Sequence, residues 1–224
     1  AYSLVLAGLL VSMGSLGDRI GHRKLLLAGS FGFAVVSVLT AYSETAMQLI
    51  IGRACMGIFG AMLMPSTLAL IRWVFEDREE RRLAVAIWAT TLTVGSALGP
   101  LVGGVLLEFF DWGAIFLLAV PVLIPLLVSG PLFLPESERD ASGPLDPVSI
   151  VQSMVALGAI VYSVKRGASD GIDEVVLITF LIGLLAGWMF VRRQLRLAEP
   201  LMDLSLFRNS AFSSSILINL MSLA

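Results

Sequence analysis

The stretch Leu83–Leu107, LAVAIWATTLTVGSALGPLVGGVLL, decides the fold of this chain. It is apolar and long enough to span a bilayer, yet it contains four glycines and a proline: Gly95, Gly99, Pro100, Gly103 and Gly104. In water these residues would break a helix, whereas in lipid the backbone has no competing water and stays helical. Gly95, Gly99 and Gly103 share one helix face, which a second helix can approach closely. We therefore expect a membrane helix with a close-packed glycine seam.

The composition of the whole chain is that of an integral membrane protein. Of its 224 residues 57% are hydrophobic and 14% charged, and the mean hydropathy is +0.91, whereas soluble domains are about half apolar and one-quarter charged. The net charge of −2 gives no indication of nucleic-acid binding, and a single histidine, His22, argues against a histidine-based metal site. Because Cys55 is the only cysteine, no disulfide can form within the chain. We expect no catalytic, cofactor or metal site.

Apolar runs between polar breaks predict an all-α integral membrane protein with six full and two partial transmembrane helices. The predicted full spans are 25–42, 46–71, 83–107, 112–134, 148–164 and 175–192, and the partial spans are 1–13 and 212–224. The partial spans at both ends indicate a fragment of a longer protein. No cleavable leader is expected, because the first apolar segment, 1–13, is too short for one and too uncharged at its front.

Basic residues lie in alternate connections between the predicted spans. One set of connections holds most of them, namely Arg19, Arg23, Lys24, Arg72, Arg78, Arg81, Arg82, Arg139, Arg192, Arg193, Arg196 and Arg208. The opposite connections carry only Lys165 and Arg166, beside acidic residues. By the positive-inside rule, the arginine-rich connections are predicted to face the cytoplasm.

Arg53 is the one basic residue well inside a predicted span. A charge near a helix centre costs roughly 2.5–3.5 kcal/mol on insertion scales, so it usually faces a cavity or a partner. We expect Arg53 to face an internal pathway and to tune the proton affinity of a nearby acid. The alternative is an arginine that snorkels to the outer interface. No acid lies deep in a span, so a proton-carrying carboxylate is expected from helices outside this chain.

The first basic connection, Gly14–Lys24, has the sequence GSLGDRIGHRK. Glycines surround a tight turn, an acid closes one helix and bases follow; by itself the pattern fits a plain positive-inside loop equally well. It resembles the loop between helices two and three of the major facilitator superfamily, G-x-L-[AG]-D-[RK]-x-G-[RK]-[RK], and His22 is the only departure. The resemblance implies a cytoplasmic latch that favours the outward-facing state, in which the acid docks on a facing helix terminus and the bases on neighbouring acids. The implied latch residues are Gly14, Asp18, Arg19, Gly21 and Arg23.

A second stretch, Leu49–Ala61, is similar to the fourth-helix motif of the same family, L-x-x-x-R-x-x-Q-G-x-G-A-A. The arginine is in register, so the resemblance implies a part for Arg53 in proton coupling. Met56 replaces the usual glutamine, and the small residues fall one place later. The candidates for a substrate cavity are Met56, Met62, Met64 and Trp88, whose soft or aromatic side chains suit loosely shaped ligands. Plain packing is the preferred alternative for Met56, and interfacial anchoring is an equal alternative for Trp88.

The glycine seam fits the fifth-helix motif of the superfamily, G-x-x-x-G-P-x-x-G-G, at every fixed position. In the superfamily this motif is associated with exporters that exchange substrate for protons, while generic small-xxx-small packing is the alternative. The predicted topology places Gly95–Gly104 towards the outer half of its span, so we expect the seam to seal the outer side when the central cavity opens inward.

The order of the spans resembles the fourteen-helix drug:proton antiporters of the QacA-like branch, because two further apolar spans follow the predicted sixth helix. The chain would then hold helices two to nine. The implied domains are an N-terminal bundle at 1–135 that lacks helix one, a cytoplasmic loop at 136–147, two additional helices within 148–193, a cytoplasmic linker at 194–211 and the start of the C-terminal bundle at 212–224.

The resemblance implies proton-coupled efflux of lipophilic, often cationic drugs and dyes by alternating access across a bacterial cell membrane. The implied partners are the lipid bilayer, protons and small lipophilic or cationic molecules, with no cofactor, no nucleic acid and a monomeric state. Three alternatives stay open: export of an endogenous lipid, peptide or secondary metabolite, an inactive fragment, and a membrane enzyme or receptor. The sequence holds no clustered metal ligands, Ser-His-Asp set or phosphate-binding loop to favour an enzyme.

Overall fold

The computed structural model describes residues 1–136, 146–197 and Ser214. Within these residues the chain forms eight helices: α1 (Tyr2–Ile20), α2 (His22–Ala41), α3 (Ala46–Val74), α4 (Arg78–Phe109), α5 (Ala114–Leu117), α6 (Ala119–Phe133), α7 (Pro147–Asp170) and α8 (Glu174–Gln194). The short α5 continues into α6, and together they form one apolar stretch, Ala114–Phe133. The described part thus holds seven helices that are long and apolar enough to cross a membrane. The predicted all-α membrane architecture is confirmed.

The helices are longer than several predicted spans. α1 continues to Ile20 although its apolar run ends near Met13, and α2 already begins at His22. The prediction followed apolar residues, but a helix keeps its backbone hydrogen bonds where its polar end leaves the hydrocarbon. The predicted partial span at 212–224, apart from Ser214, lies outside the described residues, as do Arg139 and Arg208.

The chain divides into two compact units, Ala1–Ser142 and Gly143–Ala224. In the first unit α3 packs along both α1 and α2, and α2 also packs against α5 and α6. α4 differs from its neighbours, because no residue of this helix is buried among the described residues. The core of this unit is therefore built by α1, α2 and α3.

Small residues let the helices of this core approach closely. A Cβ atom on Gly57 of α3 would lie 2.7 Å from the carbonyl oxygen of Tyr2 on α1, and one on Gly29 of α2 would lie 2.8 Å from Cβ of Met62. Ala61, one turn beyond Gly57, is fully buried. Such small-residue contacts are typical of membrane helices, which gain packing rather than hydrophobic free energy when they associate.

The second unit contains an antiparallel hairpin of α7 and α8. A Cβ on Gly183 would lie 2.7 Å from the side chain of Ile160, so the two helices are in close contact at mid-length. At one end the carboxylate of Asp173 accepts a hydrogen bond from Arg166 at 2.8 Å. At the other end Arg193 donates two hydrogen bonds to Asp146, at 2.5 Å and 3.0 Å. Each end of the hairpin is closed by an arginine–aspartate pair.

Candidate functional site

An open cavity of about 420 Å³ lies between α2, α3 and the α5–α6 segment. Its lining is almost entirely apolar and comprises Phe33, Ser37, Arg53, Met56, Leu63, Ile115, Phe116, Leu118, Ala119, Val122 and Leu123. Arg53 is the only charged residue of this set. Arg53 therefore lies on a cavity wall, and its part in a transport pathway and in proton coupling stays a prediction.

Phe116 forms the surface on which the guanidinium group of Arg53 lies. The Cζ atom of Arg53 is 5.5 Å from the centroid of the Phe116 ring, within cation–π range. The hydroxyl group of Ser37 on α2 donates a 2.6 Å hydrogen bond to the carbonyl oxygen of Phe116. Trp112 packs edge-on against the same ring, with 6.1 Å between centroids. Contacts from α2 and from the preceding turn thus hold the ring in place beneath Arg53.

The charge of Arg53 has no acidic counterpart in the described part of the chain. None of the ion pairs found there includes Arg53, and the side chain is exposed. A cation over an aromatic face gains about 0.5–1 kcal/mol at exposed sites, which is less than the roughly 2.5–3.5 kcal/mol insertion cost of a charge near a helix centre. The Phe116 contact therefore offsets only part of the cost of placing Arg53 in the membrane.

Of the predicted substrate-cavity residues, Met56 lines this cavity, and its side chain is otherwise buried. Met62 packs against Gly29 of α2 instead, and Met64 is 37% exposed. Trp88 lies on α4 and is half-buried. Met62, Met64 and Trp88 are not among the residues that line the Arg53 cavity, so their assignment to a substrate cavity stays a prediction.

The predicted latch is a one-residue turn between two helices. Gly21 has φ of 100°, a conformation that favours glycine, and it separates the last residue of α1 from the first residue of α2. Gly14 and Asp18 therefore lie within α1, and Gly14 faces Pro65 of α3. The sequence predicted a turn with glycines on both sides, whereas the turn in the structure consists of Gly21 alone.

His22, the residue that departs from the family motif, takes a defined position at this turn. Its Nε2 atom lies 2.9 Å from Oδ1 of Asp18, and the residue is buried. A Cβ atom on Gly17 would collide with the imidazole ring. Gly17 therefore provides the space that His22 occupies. Docking of Asp18 on a facing helix terminus stays a prediction.

The bases after the turn connect α2 to the end of α6. The guanidinium group of Arg23 donates a hydrogen bond to the carbonyl oxygen of Pro131, and Lys24 forms a 2.9 Å ion pair with Glu136. Nε and Nη1 of Arg19 are buried and have no hydrogen-bond partner among the described residues. Arg23 and Lys24 thus connect the turn to the end of α6. Arg19, which was also predicted to be part of the latch, does not take part in this connection.

The glycine seam of α4 is open in the described part of the chain. A Cβ atom placed on Gly95, Gly99, Gly103 or Gly104 meets nothing within 4 Å. Pro100 lies inside α4 without ending it, as predicted for a bilayer helix. The helix is formed as expected, but no described helix packs against the glycine face, so the seam itself stays a prediction.

Sequence reasoning missed the aromatic side of the Arg53 cavity. Phe33, Ser37 and Phe116 lie outside the recognised motifs, and only the folded arrangement brings them to Arg53. A weak signal existed, because Trp112 and Phe116 are one turn apart at the start of a span. The resemblance implied that bases of the first connection dock on neighbouring acids, but nothing in the sequence singled out the pair of Lys24 with Glu136.

Comparison with known proteins agrees with the motifs. A family model described as Major Facilitator Superfamily matches residues 1–224. The multidrug efflux pump LfrA of Mycolicibacterium smegmatis is 57% identical over 222 residues, which cover 99% of this chain and 44% of LfrA. The methyl viologen resistance protein SmvA of Salmonella typhimurium is 37% identical over 218 residues, which cover 97% of this chain and 44% of SmvA.

A methylenomycin A resistance protein of Bacillus subtilis is 34% identical over 215 residues, which cover 96% of this chain and 46% of that protein. The chain spans less than half the length of these relatives. The family match covers the whole chain, and the described helices place the glycine turn, the membrane arginine and the glycine–proline helix in the expected order. The chain is a multi-pass membrane protein and belongs to the Major Facilitator Superfamily.

Proposed function

We propose that the protein to which this chain belongs exports lipophilic, often cationic compounds in exchange for protons across a bacterial cell membrane. The observation that carries the proposal is the apolar cavity in which Arg53 lies over Phe116. The names of LfrA, SmvA and the methylenomycin A resistance protein refer to drug efflux or resistance, which supports drug efflux in general. In this proposal the protein is a transporter and not an enzyme.

The cavity lining suits apolar and aromatic ligands. Phe33 and Phe116 offer ring faces, and Met56 offers a flexible, polarisable side chain that adapts to different shapes. A fixed arginine repels a cationic ligand unless an acid nearby is ionised. In this proposal a membrane carboxylate from another part of the protein binds either a proton or the cationic compound, and Arg53 favours its ionised form.

The exchange follows from competition for that carboxylate. Proton binding displaces the cation on the outer side, and proton release to the cytoplasm restores the site for the next cation. Each state favours one orientation of two helix bundles around the central cavity, as in alternating access. The proton gradient supplies the energy, no cofactor takes part, and the protein acts as a monomer.

The turn at Gly21 and the face of α4 have supporting roles in this proposal. Arg23 and Lys24 bind the end of α6 and so keep the start of α2 in a fixed position at the predicted cytoplasmic side. The open face of Gly95, Gly99 and Gly103 is where a helix from elsewhere in the protein packs to close the outer side.

The test is transport of ethidium by the full-length protein in sealed vesicles. With a pH gradient imposed across the membrane, we expect ethidium to accumulate against its concentration gradient, and we expect an ionophore that dissipates the pH gradient to stop accumulation. Movement of the dye at the same rate with and without the gradient would contradict proton exchange. Competition by neutral lipids, peptides or metabolites, with none by cationic dyes, would contradict the substrate class.

A further inference from the structure

A second cavity, of about 440 Å³, lies at the arginine-rich end of the α7–α8 hairpin. Its polar lining comes from Gln152 on α7, from Arg192 and Arg193 at the end of α8, and from Arg196 in the turn that follows α8. Trp188, Met189 and Leu197 supply the rest of the lining. By the positive-inside pattern this end of the hairpin is the cytoplasmic one.

The charges of this cavity are only partly balanced. Arg193 is engaged in two hydrogen bonds with Asp146, whose side chain is 15% exposed. Ser149 donates a further hydrogen bond of 2.6 Å to Asp146. These bonds hold the pKa of the Asp146 carboxyl well below its usual range, so the carboxylate remains ionised and neutralises Arg193.

Arg192 and Arg196 supply the remaining charge. Neither residue takes part in the ion pairs found among the described residues. The guanidinium group of Arg192 lies 5.1 Å from the centroid of the Trp188 ring, which orients it without neutralising it. Two exposed guanidinium groups therefore meet at one cavity beside a tryptophan, and such groups bind phosphate oxygens through parallel hydrogen bonds.

A second observation points to a ligand with a hydrogen-bond donor. The amide oxygen Oε1 of Gln152 is buried and has no hydrogen-bond partner in the described part of the chain. A buried acceptor without a donor is costly, and phosphate alone supplies no donor in its dianionic form. A hydroxyl group next to the phosphate would satisfy Gln152 while the phosphate contacts the arginines.

The surface that leads from the cavity into the membrane is apolar and exposed. Leu181, Leu185 and Trp188 are 63%, 58% and 57% exposed, and they share one face of α8 with Arg192. An acyl chain on this face would continue directly from a headgroup held at the arginines. This continuity favours a lipid over a soluble phosphate compound.

We propose that the cavity formed by Gln152, Trp188, Arg192 and Arg196 binds the headgroup of an anionic phospholipid that bears a hydroxyl group, of the phosphatidylglycerol type. The phosphate binds Arg192 and Arg196, the glycerol hydroxyl donates to Gln152, and one acyl chain lies along Leu181 and Leu185. Basic pockets at the cytoplasmic ends of membrane helices are suited to such headgroups.

The test is lipid binding to the delipidated full-length protein, measured by native mass spectrometry with phosphatidylglycerol and with phosphatidylcholine. Each arginine near an anionic surface contributes about 1 kcal/mol, so R192Q/R196Q should bind phosphatidylglycerol about 30-fold more weakly, equivalent to about 2 kcal/mol. Phosphatidylcholine should bind both proteins equally weakly. If the double variant is not obtained, R192Q alone should lose about fivefold.

The matched control is R78Q/R82Q, which removes two exposed arginines from the first unit on the same predicted side. This control should bind phosphatidylglycerol like the unchanged protein. Three results would overturn the proposal: unchanged binding by R192Q/R196Q, an equal loss in R78Q/R82Q, or displacement of the lipid by an equal concentration of glycerol phosphate or inorganic phosphate. The last result would assign the cavity to a soluble phosphate.

Discussion

The contact between α1 and α3 gives a quantitative prediction for Gly57→Ala. The new methyl group would lie 2.7 Å from the carbonyl oxygen of Tyr2 and 3.0 Å from Cβ of Val5. The oxygen belongs to the backbone of a packed helix and cannot rotate away, so the two helices must separate. Forced insertion of one carbon into a packed core typically costs about 1–3 kcal/mol.

The control for this substitution is Gly158→Ala in α7, where the added Cβ meets nothing within 4 Å. Both changes replace a glycine inside a helix, and the gain in helix propensity of about 1 kcal/mol is common to both. The difference between the two variants therefore isolates the collision at Gly57. We expect the free energy of unfolding of Gly57→Ala, measured by denaturation in mixed micelles, to be lower than that of Gly158→Ala by about 1–3 kcal/mol. Equal stability of the two variants would refute the close approach of α1 and α3.

Three further predictions concern the hairpin, the cavity and the turn. Because the Arg193 pair holds the pKa of Asp146 below its usual range, the pair stabilises the hairpin above about pH 4 and this contribution is lost as the pH falls further. The hydrogen-exchange protection factors at the start of α7, which correct for the intrinsic pH dependence of exchange, should therefore fall in acid, and in Asp146→Asn they should already be low at pH 7. Phe116→Ala should slow ethidium efflux severalfold by removing a cation–π contact of about 0.5–2 kcal/mol, while Phe116→Tyr, which keeps the ring face, should retain it; equal rates would contradict the role of the ring. Gly17→Ala should displace the His22 ring and lower thermal stability, and a variant as stable as the unchanged protein would show that the ring has another position.

The sequence was sufficient to predict the class of fold and the order of its motifs. Long apolar runs predict membrane helices because the hydrocarbon thickness sets their length, and α4 confirms that Pro100 is tolerated inside such a helix. The exact helix ends were harder to predict from the sequence, because the polar residues of α1 beyond Met13 remain helical outside the apolar run.

Packing partners were the part that the sequence left open. The glycines of α4 have the most regular spacing, yet they face open space in the described part of the chain, whereas Gly29 and Gly57, which lie in less regular patterns, make the close contacts. The spacing of glycines in the sequence shows that one face of a helix carries only small residues. Which helix packs against that face depends on the arrangement of the other helices. The cavity shows the same limit, since the sequence singled out Arg53 but not Phe116.

The most direct test of the account is gradient-driven ethidium transport by Arg53→Ala in vesicles, at matched expression. Arg53 is the charged group of the apolar cavity and the proposed partner of the proton-carrying acid, so its loss should abolish accumulation of the dye. Arg78→Gln, which removes an exposed arginine at the start of α4, should transport normally. Accumulation by Arg53→Ala at the rate of the unchanged protein would contradict the proposed coupling through this cavity.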